Sequence, residues 1–270
     1  MKPIFFFLLF PTVLFSFALE PWYASFPECE FRVSGAYRFT PSLDQKREKK
    51  KSRPFHDSLI HLNGGMQFWP NWEIQMQTDC LKTKKSNWEV ERFGIQIRSL
   101  LLNDIAGDLM SVSLGLQGYY VPMNALQKVI SPYHSQGNLE AGLSVGKEMG
   151  PFDAWSVRWF YFLGIGIGNR GAPWLRPLIS FDINIFQKGQ CGLFSEGYFG
   201  LGRSHRLCVD AFNGYGNIAH RSIDCGVHYT YQFEVWGAIR FAYVQRVYAV
   251  LFPHRVRMVQ LEYRFPFSMF

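Results

Sequence analysis

The amino-acid sequence predicts an all-β fold: a transmembrane, antiparallel β-barrel of about 12 strands with both termini in the periplasm. Three observations predict it: an apolar leader, a Phe, Trp and Tyr content of 17%, and segments in which apolar and polar residues alternate. Alternation gives each strand one face for lipid and one for the lumen, and a closed barrel satisfies its backbone hydrogen bonds in a bilayer. A soluble β-sandwich would also alternate, but it would not need so many aromatic residues near its strand ends. We therefore predict a protein of the bacterial outer membrane.

The N-terminal segment has the pattern of a secretory signal peptide. Lys2 supplies a positive charge, an almost wholly apolar stretch follows, and Ser16 and Ala18 are the small residues expected before a cleavage site. The apolar stretch has about 15 residues, fewer than the roughly 20 that a membrane-spanning helix needs. We predict a cleaved signal peptide over residues 1–18, a periplasmic lead-in over 19–30 and the barrel over 31–270.

The alternation is clearest in a strand between residues 155 and 167. One face of it carries only large apolar residues, and the other carries serine, arginine and glycine. The strand that closes the chain, Val259–Phe265, alternates in the same way. Between Val90 and Phe93 the apolar parity changes within one strand, which predicts a β-bulge.

The lengths of the links between strands give an independent indication of topology. The three longest are residues 41–56, 122–137 and 203–221. All three are odd-numbered links when counted from a periplasmic start. Outer-membrane barrels place long loops outside and short turns in the periplasm. The pattern therefore predicts an even number of strands and three long external loops.

The formal charge is +7, and two basic runs, Lys46–Lys51 and Lys82–Lys85, fall in predicted external loops. Such loops would face the phosphates of lipopolysaccharide, so we expect outer-membrane lipid and lipopolysaccharide as partners. The alternative is a solvated loop without a dedicated partner. We predict no nucleic-acid binding, since no aromatic platform accompanies the basic runs, and no metal or cofactor.

The five cysteines are an odd number in an oxidising compartment, so at least one thiol stays unpaired. Cys208 and Cys225 flank part of the longest predicted external loop and are our candidate disulfide. The spacing alone does not fix the pairing.

One short segment could carry chemistry. His220 and Ser222 have the spacing that places two side chains on one face of a strand, and Asp224 continues that face. A hydroxyl, an imidazole and a carboxylate are the minimum for acyl transfer. His220-Arg221-Ser222 resembles the dyad of outer-membrane phospholipase A and of lipid A deacylase barrels, which implies a lipid-modifying acyl hydrolase. The phospholipase dyad faces lipid, whereas strand parity here directs these side chains into the lumen. The alternative is that they are polar residues lining the barrel mouth.

Other segments resemble an uncharacterised barrel family of chlamydial-type bacteria. They include Gly146-Lys147-Glu148, the stretch from Gly168 to Trp174 and the stretch from Phe212 to Gly216. The resemblance covers roughly residues 88–265. It implies a place in the cell envelope and no particular activity.

The predicted lumen carries arginines and carboxylates. Arg158, Arg176, Arg240 and Arg246 could form a positive ladder along one wall, which predicts a narrow pore for small, preferentially anionic solutes. Alternatively, Glu140, Asp182 and Glu262 pair with these arginines and close the lumen. The protein would then be a surface or structural barrel acting through its external loops. Inward Phe160 and Phe162 favour a constriction, and inward glycines at 164, 166 and 168 favour open space above it. We favour the pore over the hydrolase and over the closed barrel.

Overall fold

The structure of the protein is a computed structural model that describes residues 19–22, 28–43, 55–84, 86–151, 154–186, 188–204, 206–207, 211–233 and 236–268. These ranges contain a short 3-10 helix, Asp104–Ala106, a short α-helix, α1 (Met123–Leu126), and fourteen strands. The strands are β1 (Glu28–Thr40), β2 (Ser42–Leu43), β3 (Phe55–Trp69), β4 (Trp72–Thr83), β5 (Glu89–Leu102), β6 (Ser111–Tyr120), β7 (Gly137–Met149), β8 (Trp155–Gly168), β9 (Trp174–Ile185), β10 (Gly189–Gly200), β11 (Arg221–Phe233), β12 (Gly237–Val250), β13 (Pro253–His254) and β14 (Arg257–Ser268).

Twelve of the described strands form a closed barrel, and β2 and β13 make a separate two-stranded pair at one end. Consecutive barrel strands pair in antiparallel fashion, and β1 pairs with β14 to complete the ring. Closure leaves no free sheet edge, which is what a β-protein in a bilayer requires. The predicted fold class and strand number are confirmed.

The predicted bulge in β5 is present. Arg92 lies opposite Asp79 and Val90 lies opposite Cys80, so Glu91 is an extra residue without a position on the neighbouring strand. As a result, Glu91 and Arg92 are both buried towards the lumen. This irregularity adds an inward arginine beside the carboxylate of Asp79.

The two faces of the barrel wall differ as the alternation predicts. In β8, Trp155, Tyr161 and Ile165 are exposed on the outside, whereas Phe160 and Phe162 are buried inside. The outward apolar side chains of all the strands form the belt that lipid covers. None of the described residues forms a helix long and apolar enough to cross a membrane.

The links between strands alternate between two ends of the barrel. One end, called the loop end, carries six links, the three longest among them: 41–54, 84–88, 121–136, 169–173, 201–220 and 251–256. The other, called the turn end, carries the remaining five: 70–71, 103–110, 150–154, 186–188 and 234–236. The three long predicted loops all lie at the loop end, with bounds that differ from the expectation by one or two residues. Exposed Trp69, Trp72, Trp155 and Trp236 lie at the turn end, where an interfacial aromatic girdle is expected.

Some predicted features fall outside the described residues: the signal peptide 1–18, the basic run Lys46–Lys51 and Cys208. The lead-in expected over 19–30 differs in the structure. β1 already begins at Glu28, and residues 19–22, called the N-terminal segment from here on, lie inside the barrel. There Leu19 packs against Phe160 and Phe162 of β8.

Three segments fold over the loop end of the lumen: residues 121–136, 211–220 and 251–256, together called the lid. They have small apolar cores of their own. In one, Val121 and Leu126 pack against Trp174 of β9. In the other, Tyr215 packs with Phe212 and Phe252. The lid is therefore a packed structure rather than a set of separate loops.

Candidate functional site in the barrel lumen

The lumen holds two chambers and a mouth. The upper chamber, beneath the lid, has an empty volume of about 800 Å³, including space open to solvent. The lower chamber lies towards the turn end and has an empty volume of about 1010 Å³, measured in the same way. The mouth, of about 1280 Å³, opens at the turn end and shares Arg158 and Gln190 with the lower chamber. These three spaces follow one another along the barrel axis.

A thin apolar layer separates the two chambers. It consists of Ala36, Phe194, Val244 and Met258, which pack together as one buried cluster. Phe194 lines the lower chamber, and Met258 lines the upper one. Gly226 gives the phenyl ring its space, because a Cβ atom there would lie 2.3 Å from Cζ of Phe194. The layer is therefore about one side chain thick.

Several ion pairs lie along the wall of the upper chamber. Nη2 of Arg176 lies 2.6 Å from Oε1 of Glu140, and its Nη1 lies 3.0 Å from Oε1 of Glu196. Arg246 meets Asp224 with two hydrogen bonds of 2.7 Å each. Such two-point contacts fix the guanidinium plane as well as its charge. The indole of Trp174 also donates to Glu140, at 2.9 Å.

The lower chamber also holds charges of both signs. Arg264 pairs with Glu262, and Nε2 of His228 lies 2.7 Å from Asp182. Arg240 reaches Glu20 of the N-terminal segment at 3.9 Å. The backbone of this segment is held as well, since Arg98 donates to the carbonyl of Glu20 at 3.2 Å.

Trp22 seats the N-terminal segment at the turn end of the lower chamber. Its indole donates to Asp104 at 2.9 Å and meets the ring of Phe160 edge-on. The guanidinium of Arg158 lies over the indole, 5.2 Å from its centroid. Trp22 lines the lower chamber, whereas Leu19 packs with Phe160, Phe162 and Leu178.

The four arginines expected to form a ladder do not lie in one group. Arg176 and Arg246 line the upper chamber, and Arg158 and Arg240 line the lower one. Arg158 pairs with Glu148 at 2.7 Å. Of the carboxylates proposed as partners, Glu140 pairs with Arg176, whereas Asp182 contacts His228 and Glu262 contacts Arg264. The arginines of the lumen are thus largely balanced by carboxylates. Strand parity alone does not predict which carboxylate pairs with which arginine.

The inward glycines of β8 do not leave open space. A Cβ atom on Gly166 would lie 2.0 Å from the indole of Trp174, and one on Gly168 would lie 2.3 Å from Oγ of Ser135. These glycines therefore make room for Trp174 and for the lid. The inward rings of Phe160 and Phe162 are buried, as the predicted constriction requires.

The residues of the proposed hydrolase are not arranged for proton transfer among themselves. Nε2 of His220 lies 3.1 Å from Nε2 of His134, and within the described residues no hydrogen bond joins His220 to Ser222. Asp224 is occupied by Arg246, and Ser222 lines the enclosed upper chamber rather than the lipid face. Burial and the charge of Arg246 lower the pKa of His220 to about 3. Such a ring is a weak base for deprotonating a serine.

One member of the candidate disulfide, Cys225, lies on the lipid face of the barrel. Cys225 has a free, exposed thiol on the outside of β11, and its Sγ lies 3.6 Å from Oγ of Ser195. Because Cys208 lies outside the described residues, the pairing stays a prediction.

Comparison with known proteins identifies solved structures of similar fold but no family to which the chain can be assigned. An outer membrane channel from Pseudomonas putida F1 superposes with a TM-score of 0.59 and 10% identity, covering 91% of this chain and 97% of that one. The NanC porin superposes with a TM-score of 0.53 and 10% identity, covering 87% and 98% of the two chains. No family model and no curated protein sequence matches the chain. The likeness and the closed barrel with its apolar outer face confirm an outer-membrane β-barrel.

Proposed function

We propose that the protein is a narrow outer-membrane channel for small solutes and that the packed lid represents its closed conformation. Two solved structures of similar fold are an outer membrane channel and a porin. The likeness by itself concerns the fold, so the proposal depends on the lumen of this chain.

One observation carries the proposal: the polar spaces of the lumen follow one another, and an apolar layer about one side chain thick separates the two chambers. The packed lid closes the loop end. The mouth and the lower chamber share wall residues. Beyond them, the layer of Phe194 and Met258 is the barrier to the upper chamber. Apolar constrictions of this kind gate channels by excluding water until side chains move apart. Phe194 and Met258 are the largest side chains of this layer, so their movement would widen the gap between the two chambers.

We propose a modest preference for anions rather than a strong one. The upper chamber is lined by four arginines, Arg38, Arg92, Arg176 and Arg246, and by three carboxylates, Glu140, Glu196 and Asp224. Arg38 and Arg92 are themselves paired with Asp57 and Asp79, so the charges largely cancel, and the preference rests on the guanidinium nitrogens that face the chamber. Solute size would then limit passage more than charge does.

The proposal places the loop end outside the cell and both termini in the periplasm, as in other outer-membrane barrels. Exposed Lys82 and Lys84 at the loop end would then lie near lipopolysaccharide phosphates. The competing function, a closed surface barrel acting through its loops, draws support from the packing of the lid. Transport measurements separate the two.

Swelling of liposomes in arabinose tests the channel. Phe194→Ala and Met258→Ala remove the two sides of the apolar layer, so each should speed arabinose entry relative to wild type. Phe181→Ala is the matched control, because Phe181 is exposed on the outer face of neighbouring β9. A heat-dependent shift in gel mobility verifies that each variant is folded. If folded Phe194→Ala and Met258→Ala proteins admit no more arabinose than protein-free liposomes, the channel proposal is wrong.

A further inference from the structure

Three buried donors in the upper chamber lack a hydrogen-bond partner among the described residues. They are Nη2 of Arg38, Nη2 of Arg92 and the hydroxyl of Tyr133. All three side chains are at most 5% exposed, and all three line the upper chamber. A buried polar group without a partner costs about 1–3 kcal/mol, and more when it is charged. Such a cluster in one enclosed space is therefore a structural feature that needs an explanation.

Each of the two guanidinium groups is paired at its Nε with a carboxylate of the wall. Nε of Arg38 donates to Asp57 at 2.7 Å, and its Nη1 donates to the carbonyl of Ile130 in the lid at 3.4 Å. Nε of Arg92 lies 2.7 Å from Asp79. Both groups are thus held by the wall through Nε, and each has an Nη2 without a hydrogen-bond partner among the described residues.

The carboxylates of the chamber are engaged elsewhere. Arg176 holds Glu140 and Glu196, and Arg246 holds Asp224. Glu91 also has one carboxylate oxygen without a partner in the described part of the chain. Its other oxygen accepts a hydrogen bond from Ser131 of the lid, and Glu91 does not line the chamber. The groups that face the chamber without a hydrogen-bond partner are therefore all donors, and two of them belong to charged guanidinium groups.

We propose that the upper chamber binds a small organic anion whose carboxylate or phosphate head accepts hydrogen bonds from Arg38, Arg92 and Tyr133. Charge-assisted hydrogen bonds from fixed guanidinium groups suit such heads. The rest of the ligand would pack against apolar side chains that also line the chamber: Ile130, Pro132, Phe252, Val256 and Met258. This inference deepens the proposed channel function by naming the class of its solute.

Calorimetric titration of refolded protein in detergent micelles, with micelle-only blanks, tests the site. The probes are benzoate, phenyl phosphate and uncharged benzyl alcohol, each equilibrated long enough for the lid to open. We expect at least one of the two anions to bind, and benzyl alcohol to bind at least about tenfold more weakly, since it cannot make a charge-assisted hydrogen bond. Binding of only one anion would assign the head group.

Two variants identify the donors. Arg38→Gln combined with Asp57→Asn removes a guanidinium without leaving a buried charge unpaired, and it should weaken binding of the anion at least about tenfold. Its control is Arg158→Gln with Glu148→Gln, an ion pair outside the upper chamber. Tyr133→Phe should weaken binding several-fold. Its control, Tyr215→Phe, removes a lid hydrogen bond to the carbonyl of Val129 and leaves the three donors in place.

The inference is overturned if neither anion binds, if benzyl alcohol binds equally well, or if the Arg38 double variant binds as its control does. Because binding is measured without transport, the result is independent of the channel proposal. Conduction without binding would retire only the anion site. Binding without conduction would retire only the channel.

Discussion

His134 in the lid and His220, which directly precedes β11, meet through their Nε2 atoms at 3.1 Å. The hydroxyl of Tyr198 donates to the carbonyl of Pro132 at 2.8 Å and lies 2.9 Å from Nδ1 of His134. His134 must therefore carry its proton on Nδ1, and His220 must donate from Nε2. This assignment leaves both rings neutral. The contact joins two segments of the lid, and Tyr198 of β10 ties them to the barrel wall.

The first prediction concerns the charge of this pair. Burial, and then the charge of His220, lower the pKa of His134 well below 6.5, and the pKa of His220 is about 3. A loosened lid would expose both rings, which would then protonate near pH 6.5. Lid stability should therefore be constant above pH 6.5 and should decrease as the pH falls below that value. Resonances of ¹³C-labelled histidine should show two rings that stay neutral down to about pH 5.

Replacing one member of the pair checks the cause of the shift. His220→Gln removes a ring whose positive charge, once it is protonated, opposes protonation of His134, so His134 should titrate at a higher pH than in the wild type. Arg246 is the charged group that lowers the pKa of His220, and it is unchanged in this variant. If both rings titrate near 6.5 in the wild type, the packed lid is not the state in solution.

The second prediction concerns catalysis. Because His220 is bonded to His134 and Ser222 faces an enclosed chamber, purified protein should release no fatty acid from phospholipid or lipid A. The assay is run with calcium and again with a chelator. Release that disappears in Ser222→Ala but persists in Ser180→Ala, a serine on another part of the inner wall, would establish the hydrolase instead.

The third prediction concerns the ion pair between Arg176 and Glu140, both almost fully buried. Arg176→Met leaves Glu140 buried without its main partner and should lower the free energy of unfolding by about 3–5 kcal/mol. Adding Glu140→Gln should recover part of this loss, since it removes one of the two carboxylates that Arg176 held, the other being Glu196. Denaturant unfolding in micelles, followed by tryptophan fluorescence, measures both.

The matched control for the ion pair is Lys128 with Glu89, which is partly exposed at the loop end. Lys128→Met should change the free energy of unfolding by only about 0–1 kcal/mol, because water screens the charges. Equal losses from Arg176→Met and Lys128→Met would show that the wall charges stabilise the barrel no more than surface charges do.

Much of the fold could be predicted from the sequence, because strand parity is a local property. Outward Trp155 and inward Phe160 follow from alternation alone, and the parity change predicted a bulge between Val90 and Phe93, where the structure has Glu91 as the extra residue. The lengths of the links separated the two ends. These features depend on neighbours in the chain and on the polarity of lipid and lumen.

The candidate site was less predictable, because it depends on contacts between distant segments. Parity places Arg176 in the lumen but does not reveal that Glu196 shares it with Glu140. His134 lies in a loop, where no periodicity indicates which side chains it meets, and its partner His220 is 86 residues away. The position of Trp22 inside the barrel carries no signal in the sequence, since a segment before the first strand can lie anywhere.

Conductance of single proteins in a planar bilayer at neutral pH tests the central claim most directly. Trp22→Ala removes the side chain that seats the N-terminal segment, so it should give more frequent and larger openings than the wild type. Trp155→Ala, an exposed tryptophan on the outer face of β8, is the matched control and should behave as the wild type does. The channel proposal predicts that conductance is higher for Trp22→Ala than for the wild type and Trp155→Ala. Absence of conductance from wild type and Trp22→Ala alike, in samples shown to be folded and inserted, would contradict it and favour a closed barrel that acts through its loops.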